Sequence, residues 1–252
     1  MTAPAAGATG VIGPPEFTWT AAAGAGLYTL TVSRRADLGD PVLTVTGLVD
    51  GAHALAAGLP PATTYHWRVS ATNAHGTTHS ATATFTTRAL PTAPVTIDDF
   101  DGYADQAALA AAYPRNPGGD PITPTLHTAA GGRAMRLDFT LAAAGYAGVS
   151  RTFPAPLDAW GQAGIECHLD RSATTAAVTI QFVTSGIYWE HTLPAATGAG
   201  VVRIPFGEFR HPSWAPSGPL DLLHLGQLSV YVGGSGAGTL IVDNLTAYPP
   251  GP

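Results

Sequence analysis

Leu59-Pro60-Pro61-Ala62-Thr63-Thr64-Tyr65-His66-Trp67-Arg68-Val69-Ser70-Ala71-Thr72-Asn73-Ala74-His75-Gly76 reads as a turn, a long strand and the start of a hairpin. The two prolines keep the chain extended ahead of the strand. From Tyr65 onward, Tyr65, Trp67 and Val69 alternate with His66, Arg68 and Ser70, so one face suits a core and the other suits solvent. Asn73-x-x-Gly76 then closes a hairpin with residue types that favour turns. The alternation recurs upstream. Pro14-Pro15 lead into Phe17 and Trp19, and Leu27, Thr29 and Thr31 alternate with Tyr28, Leu30 and Val32. Residues 42–45 continue the pattern, and Phe85-Thr86-Thr87 supplies a last strand.

The 59–76 stretch resembles the L-x-P-x-T-x-Y-x-W-x-V-x-A-x-N-x-x-G pattern of the fibronectin type III family, and the match extends over residues 14–88. The resemblance implies an immunoglobulin-like sandwich that serves as a spacer or interaction module. Trp19 and Trp67 point into its core by alternation. Residues 1–13 form an N-terminal extension. Residues 89–95, with Pro91 and Pro94, read as a stiff linker between two bodies.

Composition agrees with two β domains. The 252 residues exceed what one small sandwich needs, and 45% apolar residues are too many for a disordered chain. The apolar runs are too short to cross a bilayer, which predicts no membrane insertion. Every basic residue is Arg, and a formal charge of −6 without a basic cluster argues against nucleic acid as a partner. Residues 1–92 carry four acids and four Arg, and the remainder thirteen acids and seven Arg, an acidic module better suited to neutral sugars than to acidic polymers. Cys167 is the single cysteine, so an intramolecular disulfide is ruled out and a buried thiol is expected. Met1-Thr2-Ala3-Pro4 lacks the charged and apolar regions of a signal peptide. The expectation is a mature or excised piece, or a protein that leaves its cell by another route.

Beyond the linker, strand-sized segments are predicted at residues 95–100, 133–141, 148–153, 164–169, 177–184, 188–193, 200–204, 225–232 and 239–247. Residues 106–113 read as a short helix, and residues 206–209 as one turn. The cluster Gly233-Gly234-Ser235-Gly236-Ala237-Gly238 reads as a hairpin loop. This half opens on Thr96-Ile97-Asp98-Asp99-Phe100-Asp101 and closes on Leu240-Ile241-Val242-Asp243-Asn244-Leu245. Between them stand Gly145-Tyr146-x-Gly148-Val149, Ile204-Pro205-Phe206-x-x-Phe209 and Leu220-Asp221-Leu222. With these motifs in that order, residues 96–248 resemble the family 11 carbohydrate-binding modules, leaving residues 249–252 as a tail. The fold predicted for the whole chain is therefore all-β: an immunoglobulin-like (fibronectin type III) sandwich, then a galactose-binding-like β-jelly roll.

Several assignments follow from that resemblance. The family's concave sheet implies that Tyr146 stacks on a sugar ring, and that Trp214 and Arg210 or His211 stand in for a tyrosine and a cation. An ungapped alignment to Asp243 puts the family's last-strand tyrosine on Val232 and turns Tyr231, the remaining candidate there, to the opposite face. Gln181, polar between Ile180 and Phe182, is a candidate cleft residue. In Tyr188-Trp189-Glu190-His191, alternation puts Tyr188 with Glu190 and Trp189 with His191; one pair lines the cleft and the other packs or meets solvent, with Trp189 kept as a candidate. The family's structural calcium implies Ca²⁺ held by Asp99, Asp101 and Asp243. Chemically, a jelly roll that sets its first and last strands side by side lets Asp98, Asp99 or Asp101 meet Asp243 and supply the oxygens calcium takes.

No Gly-x-Ser-x-Gly, His-Glu-x-x-His or phosphate-binding loop occurs, and Glu190 with Glu208 is the one pair that resembles glycosidase acids. The predicted function is thus non-catalytic glycan binding. The partner is a β-glucan-like polysaccharide or a cell-surface glycan, outside the cell or at its surface, with a catalytic module as a further partner. The alternative is a decoration or attachment subunit of an assembly such as a phage virion, with virion proteins as partners.

Overall fold

A computed structural model describes residues 1–129 and 131–251, which divide into two compact units, Met1–Leu90 and Pro91–Pro252. Strands dominate both, so the all-β expectation holds. The first unit contains β1 (Ala8–Val11), β2 (Glu16–Thr18), β3 (Leu27–Ser33), β4 (Pro41–Leu48), β5 (Ala52–Ala54), β6 (Thr64–Asn73), β7 (Gly76–His79) and β8 (Ala83–Thr87). β6, the strand read first in the sequence, pairs antiparallel with β3, β7 and β8, while β4 flanks β3. Residues 8–11 of the N-terminal extension join the same sheet by parallel pairing of β1 with β8. β2 and β5 form a separate small sheet. Phe17 on β2 meets Trp67 edge-on at 5.1 Å and Phe85 at 5.8 Å, and these contacts close one core between the two sheets.

The second unit contains β9 (Val95–Asp98), α1 (Gln106–Ala112), β10 (Ile122–Ala129), β11 (Gly132–Leu157), β12 (Gly164–Asp170), β13 (Ala177–Thr184), β14 (Ile187–Leu193), β15 (Ala199–Pro205), a 3₁₀ turn at Phe206–Glu208 and β16 (Leu225–Tyr248). The Asp105 carboxylate caps α1 by accepting from the Ala108 N–H at 2.9 Å. Residues 132–141 of β11 and the second half of β16 sit among β10, β12, β15 and β9. Residues 145–152 of β11 and the first half of β16 sit with β13 and β14. The inward residues of both sets, among them Leu137, Val242, Val149, Ile180 and Val230, share one core.

Two expectations are corrected here. Segments 133–141 and 148–153 belong to a single strand, as do 225–232 and 239–247, so residues 233–238 are strand and not a hairpin loop. Gly233 and Gly238 lie opposite Tyr146 and Phe139, and the long strand passes from one layer to the other here. A Cβ on Gly238 would come 2.6 Å from the Phe139 ring, so the glycine there answers a close approach and not a turn. β11 makes its own transition through Ala142–Ala144, where Ala144 adopts a φ of 55° and the register shifts. β10 escapes the sequence pattern because Pro124 interrupts it. Within the sheet order it lies at the edge, beside β11, where a missing N–H is tolerated.

Cys167 faces the core from β12, and burial pushes its thiol up to about 12. Such a thiol stays protonated and unreactive.

Candidate functional site

The outward face of β11, β16, β13 and β14 carries residues that alternate with core positions. One cross-strand row is Gly148, Tyr231, Thr179 and Thr192; the next is Ser150, Ser229, Gln181 and Glu190; the third is Thr152, Gln227, Val183 and Tyr188. Across this face lies a hollow of about 470 Å³, bounded by Tyr146, Tyr231 and Trp214 over a floor that includes Thr179, Gln181 and Glu190.

One aromatic pair lines it, and a second meets it through Trp214, since Tyr188 is not itself among the lining residues. Tyr146 and Tyr231 have ring centroids 6.5 Å apart, and Tyr188 meets Trp214 edge-on at 5.0 Å. Tyr146 and Trp214 are exposed, at 50% and 66%. Open aromatic rings of this kind, each with an apolar body and a polar tip, suit a partner surface. Tyr231 lies across Gly148, where a Cβ would come 2.2 Å from the ring. Between the pairs, Gln181 Nε2 donates to Glu190 Oε2 at 2.9 Å. Ser150 and Ser229 share a hydroxyl hydrogen bond of 2.7 Å, and the Ser150 hydroxyl lies 2.7 Å from Asn116 Oδ1. Burial pushes the Tyr231 phenol above its ordinary range, while the hydroxyls of Ser150 and Ser229 draw it back.

Of the residues singled out from sequence, Tyr146, Gln181, Trp214 and Tyr231 come together in this hollow. Tyr231 faces it because Val230 and Val232 occupy the core, which corrects the opposite facing drawn from the ungapped alignment. Trp189, His211 and Arg210 are not among the residues lining it. Trp189 sits opposite the buried Phe182, packs against the core and meets His211 at 3.9 Å. His211 braces the chain beyond β15: its Nε2 accepts from Gly218 N at 3.4 Å, which leaves Nδ1 to donate to the Tyr188 carbonyl at 3.1 Å. Arg210 adds a backbone bridge to β14, with Glu190 N donating to Arg210 O at 2.8 Å and Arg210 N to Glu190 O at 2.9 Å. Its guanidinium turns to the carbonyls of Gly207 and Phe209.

The structure therefore selects the Tyr188/Glu190 face, the pair that alternation left open. Thr179 was missed, although it shares the alternation that marked Gln181. Glu208 does not line the hollow; its carboxylate lies 3.9 Å from His191 Nε2, so the two glutamates do not face each other across it.

The acidic ends meet as their strand order requires, with Asp98 on β9 opposite Leu245 on β16. Asp98 is committed to a buried hydrogen-bond network, which takes it out of the metal set. Asp101 lies against Gly132 and accepts from Arg133 N at 2.6 Å, while Asp99 Oδ1 accepts from Asp101 N at 3.2 Å. Burial raises the carboxyl of Asp243, and the charges of Asp101 and Asp99 add to that. Among the described residues no three His, Cys, Asp or Glu side chains are already gathered as a metal-holding group.

No protein-family model matches this chain, and no curated protein does. Among solved structures it is similar to the family 11 carbohydrate-binding module from Clostridium thermocellum in complex with a β-1,3-1,4-mixed-linked tetrasaccharide, with a TM-score of 0.52 and 19% identity over 63% of this chain and 97% of that one. It is likewise similar to the family 11 module of the cellulosomal cellulase Lic26A-Cel5E of Clostridium thermocellum, with a TM-score of 0.51 and 19% identity over 64% of this chain and 96% of that one. At such identities the likeness is one of fold. The chain carries a fold like that of the family 11 carbohydrate-binding modules.

Proposed function

We propose that the second unit binds a glycan chain, without catalysis, on the outward face of β11, β16, β13 and β14. The observation that carries this is the pairing of Tyr146 with Tyr231 and of Tyr188 with Trp214 around the polar Gln181–Glu190 floor. Pyranose rings present apolar faces that stack on aromatic rings, and their hydroxyls take up amide and carboxylate groups. The tetrasaccharide bound by the relative of like fold favours a β-glucan ligand. Glycoside hydrolysis by the common route uses two carboxyl groups flanking the bond, and among the described residues Glu190 is the one carboxylate lining the hollow. The first unit serves as a fibronectin type III spacer, in keeping with the Tyr65 and Trp67 strand, and the protein works outside the cell, where polysaccharides are found. Affinity electrophoresis over a polysaccharide panel tests the reading: mobility falls in gels containing neutral β-glucan. Unchanged mobility on every polysaccharide, or release of reducing sugar, removes it.

Calcium between the terminal strands completes the proposal. Asp99, Asp101 and Asp243 supply the oxygens; burial, with the like charges of Asp101 and Asp99 adding to it, raises Asp243, and a dication offsets both. A ligand bound to the native state alone stabilises by mass action, so chelation is expected to lower the second unit's melting temperature and leave the first unit's unchanged. Scanning calorimetry with Asp243→Asn as control reads this out; identical transitions with and without chelator discard the metal.

A further inference from the structure

Among the described residues Glu190 is the one charged side chain lining the hollow, and it has no ion-pair partner there. Gln181 occupies Oε2, while Oε1 meets no donor among the described residues. Arg210, whose backbone pairs with Glu190, has its guanidinium held by the carbonyls of Gly207 and Phe209. At the Tyr146 end Asp120 donates its N–H to Tyr146 O at 2.7 Å and its side chain accepts from Ala142 N at 3.0 Å, but the Arg115 guanidinium held by the neighbouring Gly119 carbonyl offsets that carboxylate, so Glu190 sets the charge of the hollow. The aromatic walls act in the same sense, because the faces of Tyr and Trp rings are negative and attract cations.

Resting on the glycan reading above, we propose that Glu190 makes this face selective by charge. Sugars carrying a protonated amino group bind more tightly than neutral pyranoses, and uronic acids bind more weakly. The amine gains a charge-assisted contact at Oε1 and the attraction of the rings, whereas a sugar carboxylate meets like charge in a half-buried site where salt screens less than on open surface. Neutral rings bind through stacking and hydroxyl contacts without a net charge and fall between.

Titration of the full chain with β-1,4-linked oligomers of glucosamine, glucose and glucuronate, equal in length, tests this at about pH 6 and about 0.15 M salt. Glucosamine is expected to bind about 3- to 5-fold tighter than glucose, and glucuronate weaker by a similar factor, the size of a partly solvated ion pair. Glu190→Gln brings the three within about 2-fold of one another. Asp50→Asn, which removes the same net charge from the first unit, keeps the wild-type order. Equal affinities in the wild type, an order that survives Glu190→Gln, or an order lost equally in Asp50→Asn overturns the charge preference while glucose binding leaves the glycan reading standing. Failure of all three oligomers to bind removes both.

Discussion

Trp67→Ala is expected to destabilise the first unit by about 3–5 kcal/mol while the second unit's transition stays in place. Trp67 is fully buried at the centre of β6, with Phe17 edge-on from the small sheet and Val69 beside it on the same face. Its indole N–H has no hydrogen-bond partner among the described residues, so truncation strands no polar group and the loss is one of packing and cavity. Small domains have only about 5–15 kcal/mol in all, so this is a large share. In a unit of this size the loss moves the melting temperature by about 15–25 °C. Trp67→Phe fills most of the space and is expected to cost far less. A first transition that moves by less than about 3 °C in Trp67→Ala places the indole outside the core and breaks the account of this unit.

Asp98→Ala is expected to cost the second unit about 3–5 kcal/mol, the penalty for breaking a buried pair by removing one partner. The carboxylate accepts from Phe100 N at 2.8 Å, from the Tyr103 hydroxyl at 2.7 Å and from the Tyr113 hydroxyl at 2.8 Å, and it pairs with Arg151. Arg151 lies over the rings of Tyr103 and Phe153, at 5.9 and 5.3 Å. Burial first, and then Asp98, pushes both phenols well above their ordinary range, so they remain donors. Removing Asp98 leaves two hydroxyls without their acceptor and Arg151 without its carboxylate, with the Ile97 carbonyl still at 3.2 Å from the guanidinium. Asp98→Ala combined with Arg151→Met should recover part of the loss, because the stranded charge is gone. A denaturation double-mutant cycle measures this, and additive losses exclude the coupling.

The strands were legible in the sequence wherever alternation was clean. Tyr65, Trp67 and Val69 fall inward as read, and Ala177–Thr184 has the bounds its polar-apolar pattern gave. What the pattern concealed were the passages between layers. Gly233 to Gly238 look like a loop because glycine marks turns, yet here the same residue admits Phe139 and lets one long strand serve two sheets. The candidate site shows the same split. Gln181 stood out as polar between core residues, and the Tyr188/Glu190 pairing came from alternation. Which side of β14 faces outward depends on Phe182 pairing with Trp189, a contact between strands that no local pattern contains. Tyr231 was misplaced because an ungapped alignment carries over a residue count and not a register, whereas the burial of Val230 and Val232 fixes its direction. Arg210 and His211 had suitable chemistry, but backbone carbonyls claim both side chains.

The claim on which the account turns is that aromatic residues of one sheet face hold a sugar chain. Calorimetric titration of the full chain with a mixed-linkage β-glucan oligosaccharide tests it most directly. Tyr146→Ala and Trp214→Ala, both exposed positions, are expected to weaken binding by about 1–3 kcal/mol each without a change in either unfolding transition. Gly148→Ala is expected to weaken binding too, by forcing the Tyr231 ring aside, and this variant also lowers the second unit's unfolding transition because the added Cβ overpacks the ring. Full affinity in all three variants would contradict the assignment.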